Sequence, residues 1–149
     1  MISYDTISTE TWKIQLPSDW SQRECSAQHT VYFESADKTK GAYFSTWSFQ
    51  DDKRSAREIM ESFRRVEVRS LHEMPDRVWR QVGGWSSDSV LGDDFLASET
   101  HYRIACYLVC RLPWLVRSAF HDYDCQDYES SKRFFQPIIE SLQIHDADT

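Results

Sequence analysis

Apolar positions in this chain alternate over several short runs and recur at helical spacing over two longer ones. Residues 11–16 alternate, with Trp12, Ile14 and Leu16 on one face. This predicts a half-buried strand closed by Pro17. Residues 31–34 and 42–47 predict two more strands, and residues 37–41 between them have the length of a hairpin turn. From residue 55 to about residue 71, Ala56, Ile59, Met60, Phe63 and Val66 form one apolar stripe, the signature of an amphipathic helix. Ser55 and Glu58 have the spacing of a capping box, in which each side chain satisfies the other residue's orphan amide. Glu61 and Arg65 stand in the favourable i,i+4 order, and Pro75 ends the segment.

Residues 77–123 read as antiparallel sheet. The candidate strands are 78–82, 95–102, 103–112 and 115–122, and one long bent strand through Tyr102 fits the pattern equally well. Pro113-Trp114 supplies a tight connection between the last two, because proline presets a turn dihedral. Gly83-Gly84 reads as a bulge or turn. Residues 127–142 predict a second helix, with Tyr128, Phe135, Ile138, Ile139 and Leu142 on one face. Pro137 removes a bond to the Arg133 carbonyl and is expected to kink or split that helix. The order predicts an α+β fold: a central antiparallel sheet flanked by two main helices, in one domain over residues 1–149.

Composition narrows the function classes. Lys and Arg number 17 against 24 Asp and Glu, a net charge of −7. A cationic surface is what phosphate binding needs, so nucleic acid is not the expected partner. No apolar run approaches the roughly 18 residues of a membrane span, and the first residues lack a basic and apolar export signal. A cytoplasmic location is expected. The four cysteines, Cys25, Cys106, Cys110 and Cys125, form no Cys-x-x-Cys pair. On one strand Cys106 and Cys110 would share a face about 13 Å apart, too far for a disulfide. Buried thiols in a reducing compartment are the expectation, with a Cys25–Cys125 bridge left open.

The candidate chemistry is sparse. Residues 121–129 hold four carboxylates and His121, but the spacing and the missing glycine do not match a calcium loop. They read better as caps on the helix that follows. No Gly-x-Ser-x-Gly elbow or nucleophilic cysteine signature is present, so no catalytic residue, metal or cofactor is expected. The segment 88–94, with Glu99, reads as a solvated acidic turn or the rim of a protein-binding edge. Aromatic residues are abundant: 6 Trp, 7 Tyr and 8 Phe. On the strand around residues 42–49, Phe44 points one way and Tyr43, Trp47 and Phe49 the other, so both sheet faces carry rings. Some are therefore expected to serve as interface anchors.

The run Trp12-Lys13-Ile14-Gln15-Leu16-Pro17-Ser18-Asp19-Trp20 resembles the opening of PsbP-like domains, where an amphipathic strand runs into a proline and then a tryptophan. The run Ile138-Ile139-Glu140-Ser141-Leu142-Gln143-Ile144 is similar to the family's closing helix, and the resemblance spans roughly residues 10–145. It implies a PsbP-like sandwich. That fold is shared by a yeast Ran-binding import factor, DcrB-like proteins and Eag-type chaperones of type VI secretion effectors. It also implies a binding role rather than catalysis. The expectation is a cytoplasmic bacterial immunity protein, monomeric or homodimeric, covering a cognate secreted toxin with a basic surface. The alternative is an Eag-type effector chaperone. Asp88, Asp93, Asp94, Asp122 and Asp124 would steer the toxin, with Trp85 or Trp114 as anchors.

Overall fold

The computed structural model describes residues 1–72, 77–82, 89–97 and 100–146. The elements in chain order are β1 (Tyr4–Ser8), β2 (Trp12–Pro17), β3 (Ser21–Arg23), β4 (Thr30–Glu34), β5 (Lys40–Ser48), α1 (Ala56–His72), β6 (Arg77–Val82), β7 (Ser89–Ala97), β8 (Tyr102–Arg111), β9 (Trp114–Asp122), α2 (Tyr128–Glu140) and β10 (Gln143–Ile144). Seven strands form one sheet in the order β3-β4-β5-β9-β8-β7-β6, and β1-β2-β10 form a smaller one. Every pairing among the described residues is antiparallel.

The pleat divides the large sheet into two chemically different faces. One face carries Phe33, Ala42, Phe44, Ala105, Tyr107, Val109, Val116 and Phe120. These pack against Trp12, Ile14 and Leu16 of β2 and Phe135, Ile138 and Ile139 of α2. The other face carries Leu108, Cys110 and Leu115, which pack against Ile59 and Met60 of α1 with Trp47 and Phe49 at the margin. The helices therefore lie on opposite faces of the sheet, and the apolar stripe expected on α1 supplies its contact.

The predicted caps form. Ser55 and Glu58 exchange reciprocal bonds of 3.3 and 3.1 Å, and the Asp127 carboxylate accepts the Ser130 amide at 3.1 Å. Pro137 does not split α2, which runs unbroken to Glu140. Pro137 and Arg133 both lie on the exposed side of the helix, where water can take the carbonyl that proline leaves without a partner. Two other expectations need correction. The turn between the middle strands lies at His101, which adopts φ 53°, and not inside one bent strand. β7 begins at Ser89, so Asp93 and Asp94 belong to a strand and not to a solvated turn. The edge strands β1, β3 and β10 carry no apolar alternation and were not predicted. None of the four cysteines is in a disulfide, so Cys25 and Cys125 are not bridged. Gly83-Gly84 lies outside the described residues. No described helix is long and apolar enough to cross a membrane.

Candidate functional site on the open sheet face

The structure does not gather the predicted acidic residues into one surface. Because β7 alternates, Asp93 and Asp94 point to opposite faces. Asp93 is 3% exposed and is gripped by both the Nε and Nη2 of Arg64 on α1, at 2.9 and 3.0 Å. Asp94 is 2% exposed and accepts from Arg103 and from the Tyr128 hydroxyl of α2. Asp122 is 3% exposed, lies 3.9 Å from Lys40 Nζ and accepts the Asp124 amide. These three carboxylates hold elements together and cannot steer a partner. Asp124 is exposed, and its carboxylate accepts the Gln126 side-chain amide. Trp114 is half-buried against the core on the α2 side. Trp85, Asp88 and Glu99 lie outside the described residues.

What the fold does assemble is aromatic. On the α1 side of the sheet, Tyr32, Tyr43, Tyr102, His121 and Tyr123 come together from β4, β5, β8 and the end of β9. Tyr32 stacks on Tyr43 with centroids 4.2 Å apart, and His121 stacks on Tyr123 at 5.5 Å. His121 also meets the rings of Tyr43 and Tyr102 edge-on, at 5.2 and 5.8 Å. The tips are linked by hydrogen bonds. Tyr32 donates to Glu34 Oε2 at 3.0 Å, its oxygen lies 3.0 Å from the Tyr123 hydroxyl, and the Tyr102 hydroxyl bonds His121 Nδ1. Burial, then the bonds to Tyr123 and Glu34, push the Tyr32 phenol far above its ordinary value, so it stays a neutral donor. Burial also raises Tyr123. Tyr43, Tyr102 and His121 remain partly exposed, and Tyr123 is open.

Gly41 positions the first of these rings. A Cβ built on Gly41 would sit 2.4 Å from the Tyr32 hydroxyl and 2.7 Å from its ring. The missing side chain is what lets Tyr32 lie flat across β5, since interior glycine in a strand marks such close approaches. Gly41→Ala is expected to swing Tyr32 away and break its bonds to Glu34 and Tyr123 while the fold remains. Aromatic NMR shifts of Tyr43 and Tyr123 would report this, and unchanged shifts would contradict the assignment.

An apolar groove of about 480 Å³ adjoins the cluster between α1 and the sheet, lined by Trp47, Phe63, Val66 and Ile104 with Glu67 and Arg117. Ile104 pairs directly with His121 across β8 and β9, so groove and cluster form one continuous surface. Val66 stands 70% exposed at its rim. Arg117 donates to Glu67 at 2.6 Å and also reaches Cys106 Sγ. Burial pushes the Cys106 thiol well up, away from the thiolate a nucleophile needs. Among the described residues no cluster of three metal-ligating side chains exists. The face offers ring surfaces, hydroxyls and an apolar trough, the chemistry of recognition.

This architecture is a PsbP-like fold. The chain superimposes on cyanobacterial PsbP (CyanoP) from Synechocystis sp. PCC 6803 with a TM-score of 0.66 and 12% identity, covering 97% of this chain and 94% of that one. It superimposes on the Ran-binding protein Mog1p of Saccharomyces cerevisiae at 0.62 and 9% identity, covering 99% and 98%. A Bacteroides thetaiotaomicron VPI-5482 protein aligns at 0.52 and 15% identity, covering 93% of this chain and 46% of that one. No family model and no curated protein matches the sequence.

Proposed function

We propose that this chain is a non-enzymatic, cytoplasmic binding protein that takes a polypeptide partner on its open aromatic face. The reading we favour is an immunity protein that occludes the active site of a cognate secreted toxin of the type VI or Rhs class. The observation that carries it is the cluster of Tyr32, Tyr43, Tyr102, His121 and Tyr123, set beside an apolar groove on a rigid sheet. Tyrosine-rich surfaces with bonded hydroxyls give large contact area at small entropic cost, as antibody combining sites do. A sheet covered on opposite faces by α1 and α2 would hold these rings in fixed register. Mog1p, which has the same fold, is a Ran-binding protein, and this supports a protein partner for the fold in general.

The acidic loops lose their proposed part here, and the rings take it over. A second reading, an Eag-type chaperone for a type VI effector, draws on the groove: Trp47, Phe63, Val66 and Ile104 suit an apolar helix of the effector.

The test is co-expression with the product of the adjacent open reading frame. The immunity reading expects co-purification and restored growth. The chaperone reading expects a soluble effector without rescue. A pair that neither co-purifies nor restores growth, with the effector left insoluble, would end both readings. Replacing Tyr43 with alanine is expected to weaken the complex by about 30-fold, the effect of losing a hot spot of roughly 2 kcal/mol. Calorimetry of the purified pair would measure it.

A further inference from the structure

Resting on that binding role, we infer that the Tyr123 end of the aromatic face is a docking point for an arginine side chain of the partner. The surface is built for a planar cation. Glu34 holds its Oε2 against the Tyr32 hydroxyl at 3.0 Å, and that hydroxyl is 3.0 Å from the Tyr123 hydroxyl. An open ring and a carboxylate therefore stand no more than two hydrogen bonds apart. Among the described residues the other oxygen of Glu34 forms one ion pair, a long one of 3.8 Å with Arg23 Nε, and the Arg23 side chain is half exposed.

A guanidinium can lie on the Tyr123 ring and turn its edge N–H groups to Glu34. An ammonium lacks the planar fork to do both at once. An anion would meet a carboxylate and the negative faces of the rings, in a chain of net charge −7. At the groove end of the same face Arg117 and Glu67 are joined tightly at 2.6 Å, against 3.8 Å for Arg23 and Glu34, so Glu34 is the more loosely held carboxylate. Charge complementarity thus selects a basic contact at the Glu34 end and an apolar one in the groove.

The experiment titrates the purified full chain with N-acetyl-arginine amide, with the lysine and norleucine amides as controls, and follows aromatic and backbone NMR shifts. Saturable shifts centred on Tyr43, His121 and Tyr123, stronger for arginine than for lysine, are expected. Glu34→Gln keeps the acceptor for Tyr32 but removes the charge, and should weaken the arginine probe by about threefold or more. Tyr123→Phe should bind within twofold of the parent, whereas Tyr123→Leu should lose saturation. Equal shifts with norleucine, shifts elsewhere on the molecule, or indifference to both Glu34→Gln and Tyr123→Leu would overturn the inference. A toxin neutralised equally well by both variants would also overturn it and leave the immunity role standing. Arginine-selective binding by a chain that protects against no toxin would support it and remove that role.

Discussion

Asp94→Ala is expected to lower the unfolding free energy by about 3–5 kcal/mol, the cost of leaving a buried charge without its partner. Arg103 is 2% exposed, and its Nε and Nη2 donate to the two Asp94 oxygens at 2.9 and 2.7 Å. Its remaining Nη1 reaches the Ser131 hydroxyl at 3.1 Å, and its Cζ lies 5.2 Å from the Tyr128 ring centroid. Burial works against the guanidinium charge, but the bonds and charge of Asp94 outweigh it and keep Arg103 ionised. A guanidinium is too basic to shed its proton even when buried, so the side chain cannot escape as a neutral group when Asp94 is removed. Urea denaturation measures the effect, and a loss below about 1 kcal/mol, the worth of a surface pair, would refute it. The double variant with Asp94→Leu and Arg103→Met should recover most of the stability, since apolar residues of similar volume often replace a buried pair at little cost. The exposed pair Arg54–Asp52 is the control.

Phe44→Ala should cost a similar amount, about 3–5 kcal/mol, through a cavity that its neighbours cannot fill. Phe44 is 1% exposed and touches Trp12 at 4.8 Å, Phe120 at 5.8 Å and Phe33 at 6.1 Å between ring centroids. It is where the small sheet, through Trp12, bears on the large one. Trp12 Nε1 also donates to Thr46 at 3.2 Å, so loss of the ring loosens a junction that has a polar tie as well. The thermal midpoint should fall sharply, while Phe44→Leu, which keeps more of the volume, should fall less. A midpoint unchanged by Phe44→Ala would show that the two sheets do not depend on this contact.

These two sites mark how far the chain could be read before its structure was known. Alternation revealed β2, which buries one face, and short aromatic and β-branched runs revealed β4, β5 and β9, of which β5 and β9 bury side chains on both faces. Ser55 and Glu58 revealed the start of α1. Asp93 and Asp94 misled, because carboxylates beside a glycine resemble a turn. Their partners Arg64, Arg103 and Tyr128 come from other elements, and no local pattern announces such pairs. The aromatic face was half visible: Tyr43 and Trp47 alternate against Phe44, so a second face with rings was expected. Its other members, Tyr32, Tyr102, His121 and Tyr123, come to it only through the pairing of β4 with β5, β5 with β9 and β8 with β9. The role of Gly41 was hidden for the same reason, since its neighbour is a ring on the adjacent strand.

The middle of the large sheet joins β5 to β9, which are far apart along the chain with α1 and three strands between them. During synthesis β5 leaves the ribosome with one edge bare and must wait for β9 before that edge is sealed. Contacts so distant in sequence form slowly. The nascent first half, which carries three tryptophans, therefore keeps an unsealed sheet edge until translation passes Asp122.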